Sequence, residues 1–317
     1  MNGKPSVTVV CATYNQASYI RDALDGFLAQ QTTFPIEVLV HDDASTDGTQ
    51  EVLRGYEREH PNIKVFYEKK NRYANLPRGG YFQGFLEEHA QGKYIAQCEG
   101  DDFWIDRHKL QKQYDYLENH PECVCCGHAS LAVDSENTDK VLSKIGYGSD
   151  PCNITPEMVI VNIRMQTATL FYRKGLGTRY SSEWNIPGVI GDIPWLVWLC
   201  ENGEVRYDPM EASAYRSMSV GSYSAEQNRD VLAKRNRQLI ELFEAMDLLT
   251  GQKYSDVIQK KEADYAYRGA VCGGFKFLSK GNPGYRVRGR LGIKRWIYLL
   301  IWIAYYKLRG IKKGSWN

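Results

Sequence analysis

The sequence predicts an α/β fold in which a mostly parallel sheet is flanked by helices. Strand-like and helix-like segments alternate through the first hundred residues, which is the pattern of parallel strands joined by crossover helices. Residues 7–12 and 36–40 are continuous apolar runs, as expected of strands covered on both faces. Residues 17–30 instead repeat apolar side chains with the helical period, through Ile20, Leu24 and Phe27.

The other elements follow from the same two periodicities. A Ser-Thr-Asp-Gly-Thr segment at residues 45–49 is typical of a helix start. Further strands are predicted at residues 63–67, 94–98, 123–133 and 167–172, and further helices at residues 81–90, 109–119, 192–200 and, for the most part, 225–277. We divide the chain into an α/β domain at residues 1–222, a helical extension at 223–285 and a basic, aromatic tail at 286–317.

The composition is that of an ordinary globular protein. Of 317 residues, 43% are apolar and 25% charged, and a formal net charge of +2 gives no ground for a nucleic-acid partner. No signal peptide is visible, so the eight cysteines are expected to be thiols in the cytoplasm. Cys123, Cys125, Cys126 and His128 suggest either zinc or a buried strand, and the strand is favoured because no second pair of ligands follows at a suitable distance.

An acidic pair, Asp101-Asp102, follows the strand predicted at residues 94–98. Gly100 lets the backbone turn there, and open α/β sheets bind ligands at the carboxyl ends of their strands. Adjacent carboxylates suit a hard divalent cation, although a polar turn that caps a helix has the same pattern.

Polar side chains also stand at the ends of other predicted elements. Thr13-Tyr14-Asn15 follows the first strand, Asp42-Asp43 follows the second, and Asp192 opens a helix. Because the carboxyl ends of parallel strands lie at one edge of a sheet, we expect these segments to converge on one crevice.

Four ordered motifs resemble glycosyltransferase family 2, inverting enzymes of the Rossmann-like GT-A fold that include bacterial surface-polysaccharide enzymes. Residues 9–15 read Val-Val-Cys-Ala-Thr-Tyr-Asn, and residues 40–49 read Val-His-Asp-Asp-Ala-Ser-Thr-Asp-Gly-Thr. Residues 92–102 contain Gly-Lys-Tyr-Ile followed by Glu-Gly-Asp-Asp, and residues 190–198 contain Ile-Gly-Asp with two tryptophans. The resemblance covers residues 5–220 and implies the GT-A fold with a helical C-terminal extension.

The resemblance implies roles for residues in all four motifs. Thr13, Tyr14, Asp43 and Asp101 would bind a nucleotide-sugar donor, with the Tyr14 ring on the base and Asp43 accepting the imide N–H of uracil or thymine. Asp102 would bind Mg²⁺ or Mn²⁺, which neutralises the leaving diphosphate. Asp192 would be the general base for the acceptor hydroxyl.

Other interpretations of these residues stay open. Tyr14 also fits a core aromatic, Asp42 and Asp43 fit helix caps, and Asp192 fits a helix-dipole acid. Trp104 is interpreted either as lining the sugar or acceptor pocket or as packing beneath the loop.

Two positions depart from the family pattern. Many members have Glu-Asp where this chain has Gly191-Asp192, which keeps the acid aligned with the base. Many also have a histidine two residues after a Tyr-Arg pair, where it completes the metal site, and this chain has Met218 there. Because methionine is a poor ligand for a hard cation, the third metal contact is in question.

The last thirty residues combine basic and aromatic side chains. The uncharged stretch at residues 296–306 has eleven residues, well short of the roughly 20 that span a bilayer. Its basic flanks favour a helix that lies at the membrane surface, although a packing helix or an oligomer contact would have the same pattern. The residues expected to contact lipid are Trp296, Ile297, Leu300 and Trp302.

The sequence therefore predicts a metal-dependent, inverting glycosyltransferase. It would move a sugar from a UDP or dTDP donor to a glycan or lipid-linked acceptor in polysaccharide biosynthesis, at the cytoplasmic face of the membrane. Oligomerisation is left open. The alternatives are a nucleotidyltransferase, which would need a glycine-rich phosphate loop that Thr13-Tyr14-Asn15-Gln16 does not provide, and a catalytically inactive carbohydrate-binding protein.

Overall fold

A ten-stranded mixed sheet organises the first of two units into which the chain divides. The structure is a computed structural model, which describes residues 4–72, 81–184, 186, 190–219 and 228–308. The first unit comprises Met1–Asn185 and Gly191–Ala225, and the second comprises Ile186–Ile190 and Glu226–Asn317.

The strands of the first unit are numbered in chain order. They are β1 (Val7–Thr13), β2 (Ile36–Asp42), β3 (Ile63–Tyr67), β4 (Tyr94–Glu99), β5 (Phe103–Trp104), β6 (Cys123–Asp134), β7 (Val141–Ile145), β8 (Cys152–Ile154), β9 (Phe171–Arg173) and β10 (Glu204–Ser217). Their order in the described sheet is β3-β2-β1-β4-β9-β6-β10-β5, with β7 paired to β6 and β8 to β10.

The register of the parallel strands brings their carboxyl ends to one edge. Strand β1 runs parallel to β2 and β4, and Thr13 pairs with Asp42 while Ala12 pairs with Glu99. The loops that leave β1, β2 and β4 therefore emerge side by side, as the sequence predicts.

Helices cover the sheet. They are α1 (Ile20–Leu28), α2 (Thr49–Glu59), α3 (Tyr81–His89), α4 (Lys109–Asn119), α5 (Pro156–Val161), α6 (Leu176–Glu183) and α7 (Asp192–Asn202), with a 3-10 turn at Thr167–Thr169. The apolar side of α1 buries Ile20, Leu24 and Phe27 against Val9 of β1 and its neighbours, because the 3.6-residue period places these side chains on one face.

Most predicted elements are confirmed and one is partly wrong, while several observed elements were not predicted. The strand predicted at residues 167–172 is wrong in its first half, where a 3-10 turn precedes β9, and β9 runs antiparallel to both β4 and β6. The fourteen-residue strand β10 has no counterpart in the sequence prediction. Its Pro209 and its β-bulges between Asp208 and Ser213 interrupt the apolar alternation by which a strand is recognised.

The eight cysteines are all free thiols, as predicted. Cys123, Cys125 and Cys126 are buried within β6, which confirms the strand interpretation, and burial raises their pKa values. Burial lowers the pKa of His128 to about 3, and its Nδ1 lies 2.8 Å from the Ala129 carbonyl oxygen.

The second unit is helical. It contains α8 (Arg229–Leu249), α9 (Ser255–Gly273), α10 (Pro283–Val287) and α11 (Gly292–Leu308). Leu299 of α11 is fully buried in the same apolar cluster as Ile240 and Ala266, so the predicted tail packs on the predicted extension. Within residues 4–72, 81–184, 186, 190–219 and 228–308, none of the helices has the length and apolar character needed to cross a bilayer.

One lysine is buried in the first unit. Lys109 at the start of α4 is 0% exposed, its Nζ donates to Gln113 Oε1 at 2.7 Å, and the same nitrogen lies 4.1 Å from the centre of the Trp104 ring. Burial lowers the pKa of this amine to about 7.

We expect Lys109→Met to change how the free energy of unfolding depends on pH. Between pH 7 and 10.5 the unfolded chain binds this proton more tightly than the folded chain, so the stability of the native protein should rise with pH there. From pH 7 to pH 9 the native protein should gain about 2 kcal/mol relative to the variant. Urea titrations at both pH values measure the difference, and parallel pH dependences would contradict an ionisable buried Lys109.

Candidate active site

A buried aspartate stabilises the loop after β2 by hydrogen bonds. Asp42 is fully buried, and its Oδ2 accepts hydrogen bonds from the Ser45 amide at 3.2 Å and from Gln50 Nε2 at 2.6 Å. Asp42 therefore has a structural role in the turn, but it does not cap α2, which begins at Thr49 with Gly48 as its N-cap. The next residue but one, Ala44, has φ of 64°, a left-handed conformation that strains a residue with a Cβ and marks a tight turn.

Asp43 joins the loop to two other segments. Its amide donates to the Thr13 carbonyl at 3.0 Å, and its Oδ1 accepts from the Arg72 amide at 2.7 Å. The side chain is 2% exposed, so any ligand it binds reaches it through a narrow opening.

The loop after β1 presents one aromatic ring to solvent. Tyr14 is 47% exposed, which excludes the core interpretation of this residue. Thr13, in contrast, is 3% exposed and donates its hydroxyl to Gln16 Oε1 at 2.7 Å. The Thr13 hydroxyl thus helps to shape the loop, and its predicted contact with a donor stays a prediction.

The turn after β4 packs closely against the loop after β1. A Cβ on Gly100 would lie 2.5 Å from Gln16 Oε1 and 2.8 Å from Thr13 Oγ1, so a larger residue would displace these side chains. The loops after β1 and β4 are therefore in direct contact, and this contact fixes where Asp101 and Asp102 begin.

Residues at and just beyond the end of β10 form hydrogen bonds with the acidic pair. Asp102 is 1% exposed, and its Oδ1 accepts from the Arg216 amide at 3.0 Å. Asp101 Oδ2 accepts from the Ser219 hydroxyl at 2.8 Å. Burial, followed by the charge of Asp101, raises the pKa of Asp102 well above its usual range.

Two more carboxylates face the same place. Glu99 ends β4, and Asp192 is the first residue of α7, where Thr167 Oγ1 lies 3.5 Å from Asp192 Oδ1. Both residues keep exposed surface, although surrounding protein partly desolvates their carboxylates. This desolvation raises the pKa of both groups, and the charges of Asp192, Asp101 and Asp102 raise that of Glu99 further.

Buried indoles fix the helix that carries Asp192. Trp195 and Trp198 are each 1% exposed and stack with ring centres 5.7 Å apart. Asp192 lies in the first turn of this anchored helix, where the helix dipole favours its charged form.

The donor set fits a hard divalent cation bound jointly by protein and ligand. Carboxylate oxygens are suitable, and the mutual repulsion that raises the pKa values of Glu99 and Asp102 is what a cation would relieve. Within the part of the chain that the structure describes, no three His, Cys, Asp or Glu side chains form a ligand set. Met218, at the position where the family resemblance led us to expect a histidine, is 47% exposed with φ of 64°. Most ligands of a bound cation would then come from substrate and water.

Trp104 does not line this site. Its ring is 4% exposed, its Nε1 donates to the Ala168 carbonyl at 2.9 Å, and it packs 4.7 Å from the centre of the Phe27 ring. The pocket interpretation of Trp104 is therefore wrong, and the packing alternative holds.

A cavity of about 600 Å³ is lined by Gly146, Tyr147, Glu157, Met158, Val161, Asn162 and Arg164. Two residues separate Arg164 from Thr167, so the α-carbons of Arg164 and Thr167 are at most about 11 Å apart. The hydroxyl of Thr167 in turn lies 3.5 Å from Asp192 Oδ1.

The sequence analysis assigned no role to Arg216, Ser219, Asp22, Thr167 or Glu99. The sequence signal for Arg216 is the Tyr-Arg pair itself, whose contacts no local pattern reveals.

Comparison with known proteins identifies the family. The family model described as Glycosyl transferase family 2 matches residues 8–176, which is just over half of the chain. The chain belongs to glycosyl transferase family 2. An uncharacterised protein of Mycobacterium tuberculosis is 31% identical over 258 residues, 80% of this chain and 71% of that protein.

Other relatives of this family 2 glycosyltransferase have more specific names. TuaG of Bacillus subtilis, named for teichuronic acid biosynthesis, is 34% identical over 142 residues, 44% of this chain and 54% of that protein. The GT-A fold is confirmed by two solved structures. S. aureus TarS 1-349 with UDP-GlcNAc has a TM-score of 0.57 at 14% identity over 95% of this chain and 92% of that one. The mannosyltransferase PcManGT of Pyrobaculum calidifontis with GDP-Man and Mn²⁺ has a TM-score of 0.55 at 17% identity, over 98% and 89%.

Proposed function

We propose that this glycosyltransferase is an inverting, divalent-metal-dependent enzyme that uses a nucleoside-diphosphate sugar, with UDP or dTDP as the nucleotide. The observation that carries the proposal is the convergence of Asp43, the Asp101-Asp102 pair and Asp192 at one edge of the sheet. The nucleotide sugars and Mn²⁺ bound in TarS and PcManGT support it, since those proteins share the fold.

The nucleotide would bind over the loops after β1 and β2. The exposed Tyr14 ring offers a flat face for base stacking, and the Asp43 carboxylate accepts hydrogen bonds only, as the imide N–H of uracil or thymine requires. Guanine and adenine present a different edge at this position, so these two residues would set the preference among nucleotides.

The acidic pair would meet the rest of the donor. Asp102 would hold Mg²⁺ or Mn²⁺, which supplies neutralisation of the diphosphate as it leaves. Asp101 would lie near the donor ribose or sugar, held by the Ser219 hydroxyl.

Asp192 would act as the general base. Its carboxylate takes the proton of the acceptor hydroxyl as that oxygen attacks the anomeric carbon, and a single displacement from the opposite face inverts the centre. The acceptor, a glycan or a lipid-linked glycan, would approach from the side of the cavity near Arg164. The Tyr147 ring and the polar groups of Glu157 and Asn162 line that cavity, and such a mixture suits a sugar chain.

The proposal is tested by a thermal-shift series with UDP, dTDP, GDP and ADP, each with and without Mn²⁺, followed by hydrolysis assays of the matching nucleotide sugars. We expect a uridine or thymidine nucleotide with Mn²⁺ to raise the melting temperature most, because ligands of the native state stabilise it. Binding without any hydrolysis or transfer would favour the inactive carbohydrate-binding alternative. Release of pyrophosphate from a nucleoside triphosphate would favour the nucleotidyltransferase.

Asp43→Ala is expected to weaken nucleotide binding more than it slows the reaction at saturating donor. Loss of a hydrogen bond to a charged acceptor amounts to about 1.5–3 kcal/mol, or roughly 10- to 150-fold in affinity. Competition among UDP, GDP and ADP on the native protein and the variant measures the effect. Equal affinities for all three nucleotides in the native protein would contradict base recognition by Asp43.

We further propose that α11 rests on the cytoplasmic surface of the membrane. Four of its apolar side chains are 49–79% exposed, namely Ile293, Ile297, Leu300 and Ile301. Trp296 instead packs against the helical core and stacks on Phe275, and the Trp302 side chain lies outside the described residues. The exposed face therefore keeps Ile297 and Leu300 from the predicted set and adds two isoleucines.

Replacing Ile297, Leu300 and Ile301 together by serine should reduce sedimentation with anionic liposomes several-fold and leave the melting temperature nearly unchanged. Deleting residues 286–317 is a poorer test, because Val287, Leu291 and Leu299 are buried in the core of the second unit. Leu248→Ser, on α8 and 71% exposed, is the matched control for a lost surface leucine. If the native protein does not bind liposomes at low salt but the triple variant changes its oligomeric state, the face is a contact between copies.

A further inference from the structure

Arg216, near the end of β10, and Ser219, two residues beyond the strand, hold the acidic pair by three hydrogen bonds. The Arg216 amide donates to Asp102 Oδ1 at 3.0 Å, Arg216 Nη1 donates to the Asp101 carbonyl at 2.7 Å, and the Ser219 hydroxyl donates to Asp101 Oδ2 at 2.8 Å. Arg216 and Ser219 are only 2% and 0% exposed, so water cannot readily replace these bonds. Hydrogen bonds from these buried donors are stronger than equivalent bonds in bulk water.

Met218, which lies between Arg216 and Ser219, has a left-handed backbone conformation. Met218, with φ of 64°, reverses the chain between Arg216 and Ser219, so that one backbone amide and one hydroxyl reach neighbouring carboxylates. Backbone strain of this kind, about 1–3 kcal/mol, persists where the surrounding structure enforces it. Here the hydrogen bonds of Arg216 and Ser219 to the acidic pair flank Met218 on both sides.

The guanidinium of Arg216 is itself fixed from the opposite side. Its Nη2 pairs with Asp22 in the first turn of α1, and its central carbon lies 4.6 Å from the ring centre of Phe103 and 5.1 Å from that of Tyr19. Asp22 is half-exposed, and among the described residues its contact with the acidic pair runs through Arg216.

The guanidinium bonds the Asp101 carbonyl and leaves both carboxylates of the pair to other partners. It therefore adds positive charge beside Asp101 and Asp102 without competing with a cation for their oxygens.

We propose that Asp22, Arg216 and Ser219 form a positioning relay that holds Asp101 and Asp102 ready to bind a divalent cation with a nucleoside diphosphate, in a chain that has Met218 where relatives have a ligating histidine. The proposal rests on the proposed function. It assigns the preorganisation of the site to residues that do not touch the donor.

The relay predicts a loss of affinity from a change made outside the site. Asp22→Asn and Ser219→Ala should each weaken Mn²⁺ binding in the presence of saturating UDP about tenfold, the effect of one lost hydrogen bond to a charged group. The fraction of free Mn²⁺, read from its electron paramagnetic resonance signal, measures this without any turnover. Asp22→Glu, which keeps the charge, should recover most of the affinity.

Ser217→Ala is the matched control, since Ser217 lies on the same strand end and pairs there with Asp134. Lower melting temperatures for Asp22→Asn and Ser219→Ala with unchanged Mn²⁺ affinity would overturn the relay and leave only a structural role. If the native protein binds no Mn²⁺ with UDP, dTDP or GDP, the proposed function itself fails. The two failures are therefore distinguishable.

Discussion

Asp102→Asn is expected to abolish sugar transfer, by about 10³-fold or more, which is the scale of losing one electrostatic stabiliser of a transition state. The amide oxygen of asparagine can still accept the hydrogen bond from the Arg216 amide, so the shape of the loop should persist. The negative charge is lost, however, and nucleotide binding should lose its dependence on Mn²⁺. Transfer assays and nucleotide titrations with and without Mn²⁺ measure both effects.

Asp106→Asn provides the control for this variant. Asp106 lies four residues further on, pairs with Lys112 at the surface, and should tolerate the same chemical change. Chelation by EDTA should reproduce the Asp102→Asn phenotype in the native protein. Full activity in EDTA would remove the metal from the mechanism altogether.

Asp192→Asn should leave donor binding nearly intact and reduce turnover about 10²–10⁴-fold, the usual effect of removing a general base. The raised pKa of Asp192 also fixes the sign of the pH dependence. Because the base must be ionised, kcat/KM should fall as the pH drops through a value above the ordinary 3.8 of an aspartate. A collapse of donor affinity in this variant would instead identify Asp192 as a binding residue.

Thr167→Val gives the pH profile an independent check. The Thr167 hydroxyl lies 3.5 Å from Asp192 Oδ1 and lowers the pKa of that carboxyl, so its removal should move the acidic limb of the profile to higher pH. Valine keeps the branched shape of threonine. The maximal rate at high pH should therefore change little.

The sequence predicted the residues proposed to bind the donor because they follow directly from short, local sequence patterns. The ends of β1, β2 and β4 follow from short apolar runs, and parallel strands place their carboxyl ends together. Asp43, Asp102 and Asp192 could thus be picked out before any contact was known. Their roles in binding and catalysis stay predictions until the variants are measured.

The contacts that tie the site together could not be predicted in the same way. Arg216 meets Asp102 across 114 residues of chain, and no periodicity encodes such a pairing. Trp104 was ambiguous because an aromatic residue after an acidic loop looks like a pocket wall. Its burial depends on Gly26, where a Cβ would approach the Trp104 carbonyl oxygen to 3.0 Å.

The long connection between Asp102 and Arg216 has a consequence for how the enzyme acquires its site during folding. The loops after β1 and β2 are joined by contacts between residues about thirty positions apart, such as that of the Asn15 amide with Ser45 Oγ. The acidic pair, in contrast, gains its hydrogen bond from Arg216 only once β10 has been added to the sheet. Closing the longer loop is entropically harder, so the nucleotide loops can take shape in a nascent chain before the acidic pair does. A chain that ended with the family match at residue 176 would lack β10, and its acidic pair would be left without the residues that orient it.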